Sequence, residues 1–149
     1  MDRYVSDQIE LPFTEGGPPF TRADLIFGGV DHSGASFEAR VFFNNPDADE
    51  RTPTEAEHGY AGRFVVFGHG GCAGEEGHCD VPPDQNASDD LRLPHPLTPA
   101  TKPVVVTDAF KRLTEARVTI TVVPVLPGAD GPRREDVLFF ESVELTTYV

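Results

Sequence analysis

The feature that most constrains the fold is an alternation of apolar and polar side chains at every second residue. It is clearest over Phe37–Phe43, where Phe37, Ala39 and Val41 are separated by charged residues. A period of two is typical of a strand with one buried face. Residues 44–47, Asn-Asn-Pro-Asp, favour a turn and predict the end of that strand.

Further segments predict strands by the same rule. Residues 117–125 are β-branched almost throughout, a composition enriched in strands. The other predicted strands are 62–68, 137–148, 23–30 and 102–106. The inward-facing positions predict a core of Phe37, Val41, Phe43, Phe64, Val66, Val118, Ile120, Val122, Phe140 and Val143. A register shift of one residue would turn Val118, Ile120 and Val122 to the solvent and bury Thr119 and Thr121 instead.

One short helix is predicted over 108–113, with Thr107 as its N-cap, Asp108 in its first turn and basic residues in its last. Several strands with one helix predict an all-β fold, an antiparallel β-sandwich with Greek-key-like connections. A Greek-key barrel would give the same pattern. The 149 residues suit one domain, 1–149, with an extended N-terminal arm over 1–21 and a long loop over 68–101.

Charge and hydropathy exclude several classes of partner. The net charge is −13, so no basic surface is expected for nucleic acid or for anionic lipid. No apolar run approaches the roughly 20 residues of a membrane span. The first residues, Met-Asp-Arg-Tyr, show no signal peptide, so we expect a cytoplasmic chain or one exported with a partner.

The long loop concentrates the residues that could bind a metal ion. His69, Cys72, His78 and Cys79 lie within it among glycines, and thiolate and imidazole are ligands for zinc and copper. Their spacing matches no common zinc motif. The alternative is a disulfide between Cys72 and Cys79, which would restrain a loop without apolar anchors. Free thiols are the third possibility.

Catalytic motifs are absent from the sequence. There is no G-x-S-x-G elbow and no glycine-rich phosphate loop. Ser33, in Asp-His-Ser-Gly, is interpreted as part of a turn. The acidic residues around Cys72 and Cys79 would disfavour a reactive thiolate. We therefore expect no enzyme activity from this chain alone.

Four segments, taken in order, resemble the C-terminal β domain that follows the copper domain in tyrosinases and polyphenol oxidases. Together they span about residues 22–148, and they are 37–46, 60–69, 106–113 and 118–124. The Gly-His-Gly-Gly-Cys sequence at 68–72 is similar to that of bacterial members of the family. Arg63, where the family often has Ser, and Gly68, where it has Pro before His69, depart from the pattern.

The resemblance implies a non-catalytic domain or small subunit that covers, stabilises or assembles a tyrosinase-like copper domain, in cis or in trans. In that family six histidines of a separate helical bundle bind the two coppers, whereas this chain has five histidines in total. The chain itself would require no cofactor, and copper remains a possible ligand. Candidate contacts with the partner are His69, His95 and Tyr60. The alternatives are a copper-binding module that uses the His69, Cys72, His78 and Cys79 loop, and a free-standing structural or interaction β-sandwich with a disulfide.

Overall fold

The computed structural model describes residues 2–11, 20–70, 72, 74–82, 89, 91, 93, 95–128 and 136–149. Residues 71, 73, 83–88, 90, 92 and 94 of the predicted long loop therefore lie outside the described residues, as do 12–19 of the predicted arm. The strands are β1 (Tyr4–Val5), β2 (Ile9–Glu10), β3 (Arg22–Val30), β4 (Phe37–Phe43), β5 (Tyr60–Val66), β6 (Ala100–Val105), β7 (Arg117–Val118), β8 (Ile120–Val125) and β9 (Ser142–Tyr148). A single α-helix among these residues, α1 (Thr107–Lys111), and a 3₁₀ turn (Ala56–His58) complete the elements.

The strands form an antiparallel β-sandwich, as the alternating pattern predicts. One sheet has the order β1-β8-β4-β5 and the other β6-β3-β9, with β2 and β7 as a separate pair. Alternate residues of β3 and β4 face inward, because successive side chains of a strand point to opposite faces of the sheet. The rings of Phe27 and Phe64, one from each sheet, lie 4.8 Å apart between centroids. The hydrophobic core therefore lies between the two sheets.

The predicted core and its register are confirmed. Val118, Ile120 and Val122 are all buried. So are the other predicted core residues, except that Val143 is half-buried and packs against the core from its edge. The strand over Phe37–Phe43 has the bounds that the sequence predicts. Asn44 ends it with a left-handed φ of 52°, a conformation that Asn tolerates better than most residues.

The four-stranded sheet is also covered on part of its outer face. Phe42, Ala48 and Val123 form a small second cluster, against which Tyr60 packs. The polar segment 46–58 contributes Ala48 and lies over this part of the sheet. As a result Thr121 is fully buried although it does not face the main core. One buried face was expected for this strand, and no sequence pattern indicated that its second face would also be covered.

Several element boundaries differ from the prediction. β5 begins at Tyr60 and ends at Val66, two residues earlier than 62–68. It does so because Tyr60 still pairs with Phe42 beyond an irregularity next to Gly62. The strand over 117–125 is interrupted at Thr119, whose backbone N–H donates to the Asn44 side chain. β9 begins at Ser142 rather than at 137.

The predicted helix cap at Thr107 is wrong. The N-cap residue is Val106, which makes no side-chain capping hydrogen bond. Thr107 lies inside the first turn, and its Oγ1 instead accepts a hydrogen bond from the Ala23 backbone N–H at 3.0 Å. That bond ties α1 to the start of β3 and leaves Ala109 and Phe110 buried.

The outer strands of the sheets carry two further features. Pro103 lies in β6, opposite Ile26 of β3, and β6 and β9 are the two edges of the three-stranded sheet. The described part of the N-terminal arm supplies β1 and β2, which pair with β8 and β7.

Among the described residues no helix has the length and apolar character needed to cross a membrane.

Candidate functional site

Three chain segments meet at one end of the sandwich. They are the turn over 31–36 between β3 and β4, the residues that follow β5 from Gly68 onward, and the segment 95–99 that leads into β6. The His69 N–H donates to the His32 carbonyl at 2.8 Å, and the Gly68 N–H donates to Ser36 Oγ at 2.9 Å. A Cβ at position 68 would collide with the backbone of Gly34 and Ala35. Glycine is therefore what permits the close approach of the first two segments.

The turn itself is held as the sequence predicts. The Ser33 N–H donates to Asp31 Oδ1 at 2.8 Å, which is the hydrogen bond of an Asx turn. Ser33 is exposed and has turn chemistry rather than the surroundings of a nucleophile. This turn positions His32 beside the strand that ends before His69.

His32 and His69 form a pair at the centre of this end. Their Nδ1 atoms are 3.0 Å apart, and their ring centroids are separated by 4.9 Å with planes at 64°. His32 Nε2 lies 2.7 Å from the Thr98 carbonyl oxygen. A carbonyl only accepts hydrogen bonds, so His32 Nε2 carries the proton and its Nδ1 is left with a free lone pair when the ring is neutral. In the neutral pair, His69 Nδ1–H donates to that lone pair.

Cys72 and Cys79 form a disulfide. Their Cα atoms are 5.9 Å apart and their sulfurs 2.03 Å apart. The enclosed residues that the structure describes, 74–78, are all exposed, so the bridge rather than apolar packing closes the loop. In this oxidised state the sulfurs are not thiolate ligands. A metal site made of His69, Cys72, His78 and Cys79 would need the reduced chain, and for that state it stays a prediction.

The other predicted histidines make backbone contacts. His95 Nε2 donates to the His78 carbonyl at 3.1 Å, and the Leu97 N–H donates to His95 Nδ1 at 3.2 Å. His95 thus links the disulfide loop to the segment before β6, while the His78 ring stays exposed. In the part of the chain that the structure describes, no three His, Cys, Asp or Glu side chains come together in a way that could hold a metal ion.

Tyr60 lies at the opposite end of β5 from His69. The strand Tyr60–Val66 spans about 20 Å at the usual rise per residue. Tyr60 is half-buried against Phe42, with ring centroids 5.7 Å apart, and this burial raises the pKa of its hydroxyl. The predicted contact residues therefore fall into two groups, His69 with His95 at one end and Tyr60 at the other.

Beside the histidine pair, the open part of the outer sheet face combines an ion pair network with an apolar groove. Glu38 accepts hydrogen bonds from Arg40 at 2.7 Å and from Arg63 at 2.6 Å. The Arg40 bond first, and the Arg63 bond after it, hold the pKa of the Glu38 carboxyl below its ordinary value. The adjacent groove has a volume of about 340 Å³, and Val65, Phe67 and Val125 contribute to its walls.

Three apolar side chains in or directly before the long loop are exposed. Phe67 is 79% exposed, and Leu91 and Leu93 are 97% and 89% exposed. Single exposed apolar residues are normal on a protein surface, whereas a contiguous apolar patch is typical of an interaction site. The loop was predicted from the sequence as a candidate site, but neither Phe67 nor His32 was among the predicted site residues. The signal that could have found His32 is its place in the turn that ends one strand and begins the next.

The fold, an antiparallel β-sandwich, is similar to one part of solved polyphenol oxidases. A solved latent aurone synthase (polyphenol oxidase) from natural source superposes with a TM-score of 0.54 at 17% identity, over 99% of this chain and 24% of that chain. The recombinantly expressed latent enzyme gives the same values. The latter enzyme co-crystallised with hexatungstotellurate(VI) gives a TM-score of 0.52.

The similarity is one of fold. The chain covers 24% of the length of the polyphenol oxidases that it matches. No protein-family model matches the sequence, and no curated protein matches it.

Proposed function

We propose that this chain is a non-catalytic accessory domain or small subunit of a tyrosinase-like copper oxidase. It covers, stabilises or assembles the copper domain, in cis or in trans. The observation that carries the proposal is the superposition of 99% of the chain on 24% of a latent polyphenol oxidase. The four segments that resemble the C-terminal β domain of the family support the same assignment. We also propose that the chain comes from a bacterial member of the family, on the basis of the loop sequence at 68–72 alone.

The number and the contacts of the histidines favour an accessory role over a catalytic one. The family resemblance places six copper ligands in a separate helical bundle, and this chain has five histidines. Two of them, His32 and His69, contact each other, and His95 binds a backbone carbonyl. We expect no oxidation of a diphenol by the chain alone with added copper, beyond what free copper gives.

The contact surface that we propose is the end of the sandwich that carries the long loop. Phe67 exposes apolar area at the end of β5, and Leu91 and Leu93 of the long loop are also exposed; burial of aromatic and aliphatic anchors is the main source of binding energy in protein interfaces. His69 and His95 lie at the same end. Tyr60 would belong to a second, separate contact.

The experiment is a binding assay with the copper domain encoded in the same reading frame or in a neighbouring one. The full chain and that domain are expressed separately, mixed, and analysed by light scattering after gel filtration. We expect a one-to-one complex in which diphenol oxidation is reduced or the copper domain melts at a higher temperature. Absence of a complex at about 100 μM of each protein contradicts the proposal.

Two matched variants locate the interface. Phe67→Ser removes an exposed apolar side chain at the loop end, and Val105→Ser removes one that is 55% exposed on the other sheet. Hot-spot truncation typically costs 2 kcal/mol or more, so Phe67→Ser should weaken binding by about thirtyfold. Val105→Ser should leave it unchanged. Equal effects of the two variants would place the interface elsewhere.

A further inference from the structure

The pairing of His32 with His69 is not explained by a covering role, and it does not depend on the proposed partner. The two residues come from segments 37 positions apart, and three separate backbone regions are joined to bring them together. His32 is half-buried and His69 is exposed. The pair therefore lies at the protein surface.

We propose that His32 and His69 form a binding site for a divalent transition metal ion of tetragonal geometry, such as Cu(II) or Ni(II), through their Nδ1 atoms. Imidazole nitrogen suits these ions, and square-planar or tetragonal nitrogen sites are typical of Cu(II) and Ni(II). The disulfide between Cys72 and Cys79 removes the competing sulfur ligands of the neighbouring loop.

The distance between the two nitrogens, which a hydrogen bond sets in the metal-free chain, is compatible with this geometry. Two donors at about 2.05 Å from one ion and 3.0 Å from each other subtend about 95° at the ion. A tetrahedral ion would need the same donors about 3.3 Å apart. Neighbouring positions of a tetragonal ion, at about 90°, fit the observed separation. His69 is exposed, so its proton can move from Nδ1 to Nε2 through solvent and its ring can turn until the Nδ1 lone pairs of both residues face the ion.

The surroundings of His32 are those of a metal ligand. Its Nε2–H donates to the Thr98 carbonyl at 2.7 Å. Ligating histidines almost always donate their second ring N–H to a carbonyl or carboxylate, which fixes the tautomer and the ring orientation. The backbone bond from the His69 N–H to the His32 carbonyl holds the two residues in register without any metal.

The remaining coordination positions are open to water or to a group from another molecule. No third His, Cys, Asp or Glu joins the pair within the described ranges, and the nearby Asp31 carboxylate already accepts the Ser33 N–H. The net charge of −13 raises the local concentration of cations around the chain. We therefore expect an exchangeable site rather than a buried structural one.

The test is titration of the full, oxidised chain with NiCl₂ and with Cu(II)–glycine at about pH 7.5, where imidazole is mostly neutral. Calorimetry should show saturable binding of one ion per chain. His32→Ala and His69→Ala should each weaken it by at least about tenfold. His58→Ala, which removes an exposed histidine elsewhere, serves as the control and should bind as the wild type does.

A second measurement does not depend on the variants' folding. Paramagnetic Ni(II) should broaden the imidazole NMR signals of His32 and His69 before that of His58. The proposal is overturned if no saturable binding occurs up to about 1 mM metal, since the contact is then a hydrogen bond and nothing more. It is also overturned if His58 broadens first, or if binding appears only after reduction of the disulfide.

Discussion

Replacing Gly68 by alanine tests how closely the turn over 31–36 and the end of β5 approach each other. The new Cβ would collide with the carbonyl oxygen of Gly34 and with the backbone of Ala35. Backbone atoms cannot move aside as a flexible side chain does, so one of the two segments must shift. Overpacking of this kind costs about 1–3 kcal/mol. Loss of glycine entropy in the unfolded chain returns about 0.4–1 kcal/mol.

The net expectation for Gly68→Ala is a loss of about 1–2 kcal/mol in the free energy of unfolding. For a domain of this size that lowers the melting temperature by about 2–8 °C. The measurement is urea and thermal unfolding followed by circular dichroism. Ni(II) binding should weaken in the same variant, because His69 is displaced from His32.

The chain offers two matched controls for this change. A Cβ at Gly70 would lie 3.5 Å from the nearest atom, and a Cβ at Gly34 would meet nothing within 4 Å. Neither position has a left-handed φ. Gly70→Ala and Gly34→Ala should therefore be neutral or slightly stabilising. If Gly68→Ala is as stable as Gly70→Ala, the close approach does not constrain the fold and the reasoning is refuted.

Three further predictions concern the sheet and the loop. Glu38→Gln should lower the free energy of unfolding by about 1–2 kcal/mol at pH 7. Because the folded-state pKa of Glu38 lies below 4.5, this loss of stability should persist at pH 6 and shrink as the pH falls below 4.5. Equal stability of the variant and the wild type at pH 7 would contradict this. Reduction of the Cys72–Cys79 bridge should lower the free energy of unfolding by no more than about 2.5 kcal/mol, the chain-entropy value for so short a loop. It should speed proteolysis between the two cysteines, while the far-ultraviolet circular dichroism spectrum stays unchanged. A loss of that spectrum would show that the loop supports the sheets. Thr121→Val should raise the free energy of unfolding by about 1 kcal/mol in urea titration, because the buried Thr121 Oγ1 has no hydrogen-bond partner among the residues that the structure describes and its desolvation is therefore uncompensated. A loss of stability would mean that the hydroxyl does have a partner in solution.

The strands were predictable from sequence because each presents a repeating pattern to one core. Phe37–Phe43 has the predicted bounds, and Val118, Ile120 and Val122 are buried as predicted. The covered outer face over Phe42 was not predictable, since it depends on where a polar segment folds back. The Thr107 cap failed because a tertiary hydrogen bond to Ala23 outcompeted the local one.

The candidate site was predictable only in part, for the same reason. The proximity of Cys72 and Cys79 follows from a short glycine-containing segment, which is local information. The partner of His69 is His32, which lies 37 residues earlier and is brought near by strand pairing. No motif spacing encodes such a contact.

The proline in β6 also affects how this sandwich can bind another protein. Pro103 lies in β6, at the edge of its sheet, where a proline is tolerated only if the missing N–H faces away from the neighbouring strand. A strand arriving at that edge would find a gap in the ladder, and such gaps are a known defence against edge-to-edge aggregation. Along β6, growth of the sheet by an added strand is therefore discouraged, which favours recognition through side chains at the ends of the sandwich over backbone pairing at its flank.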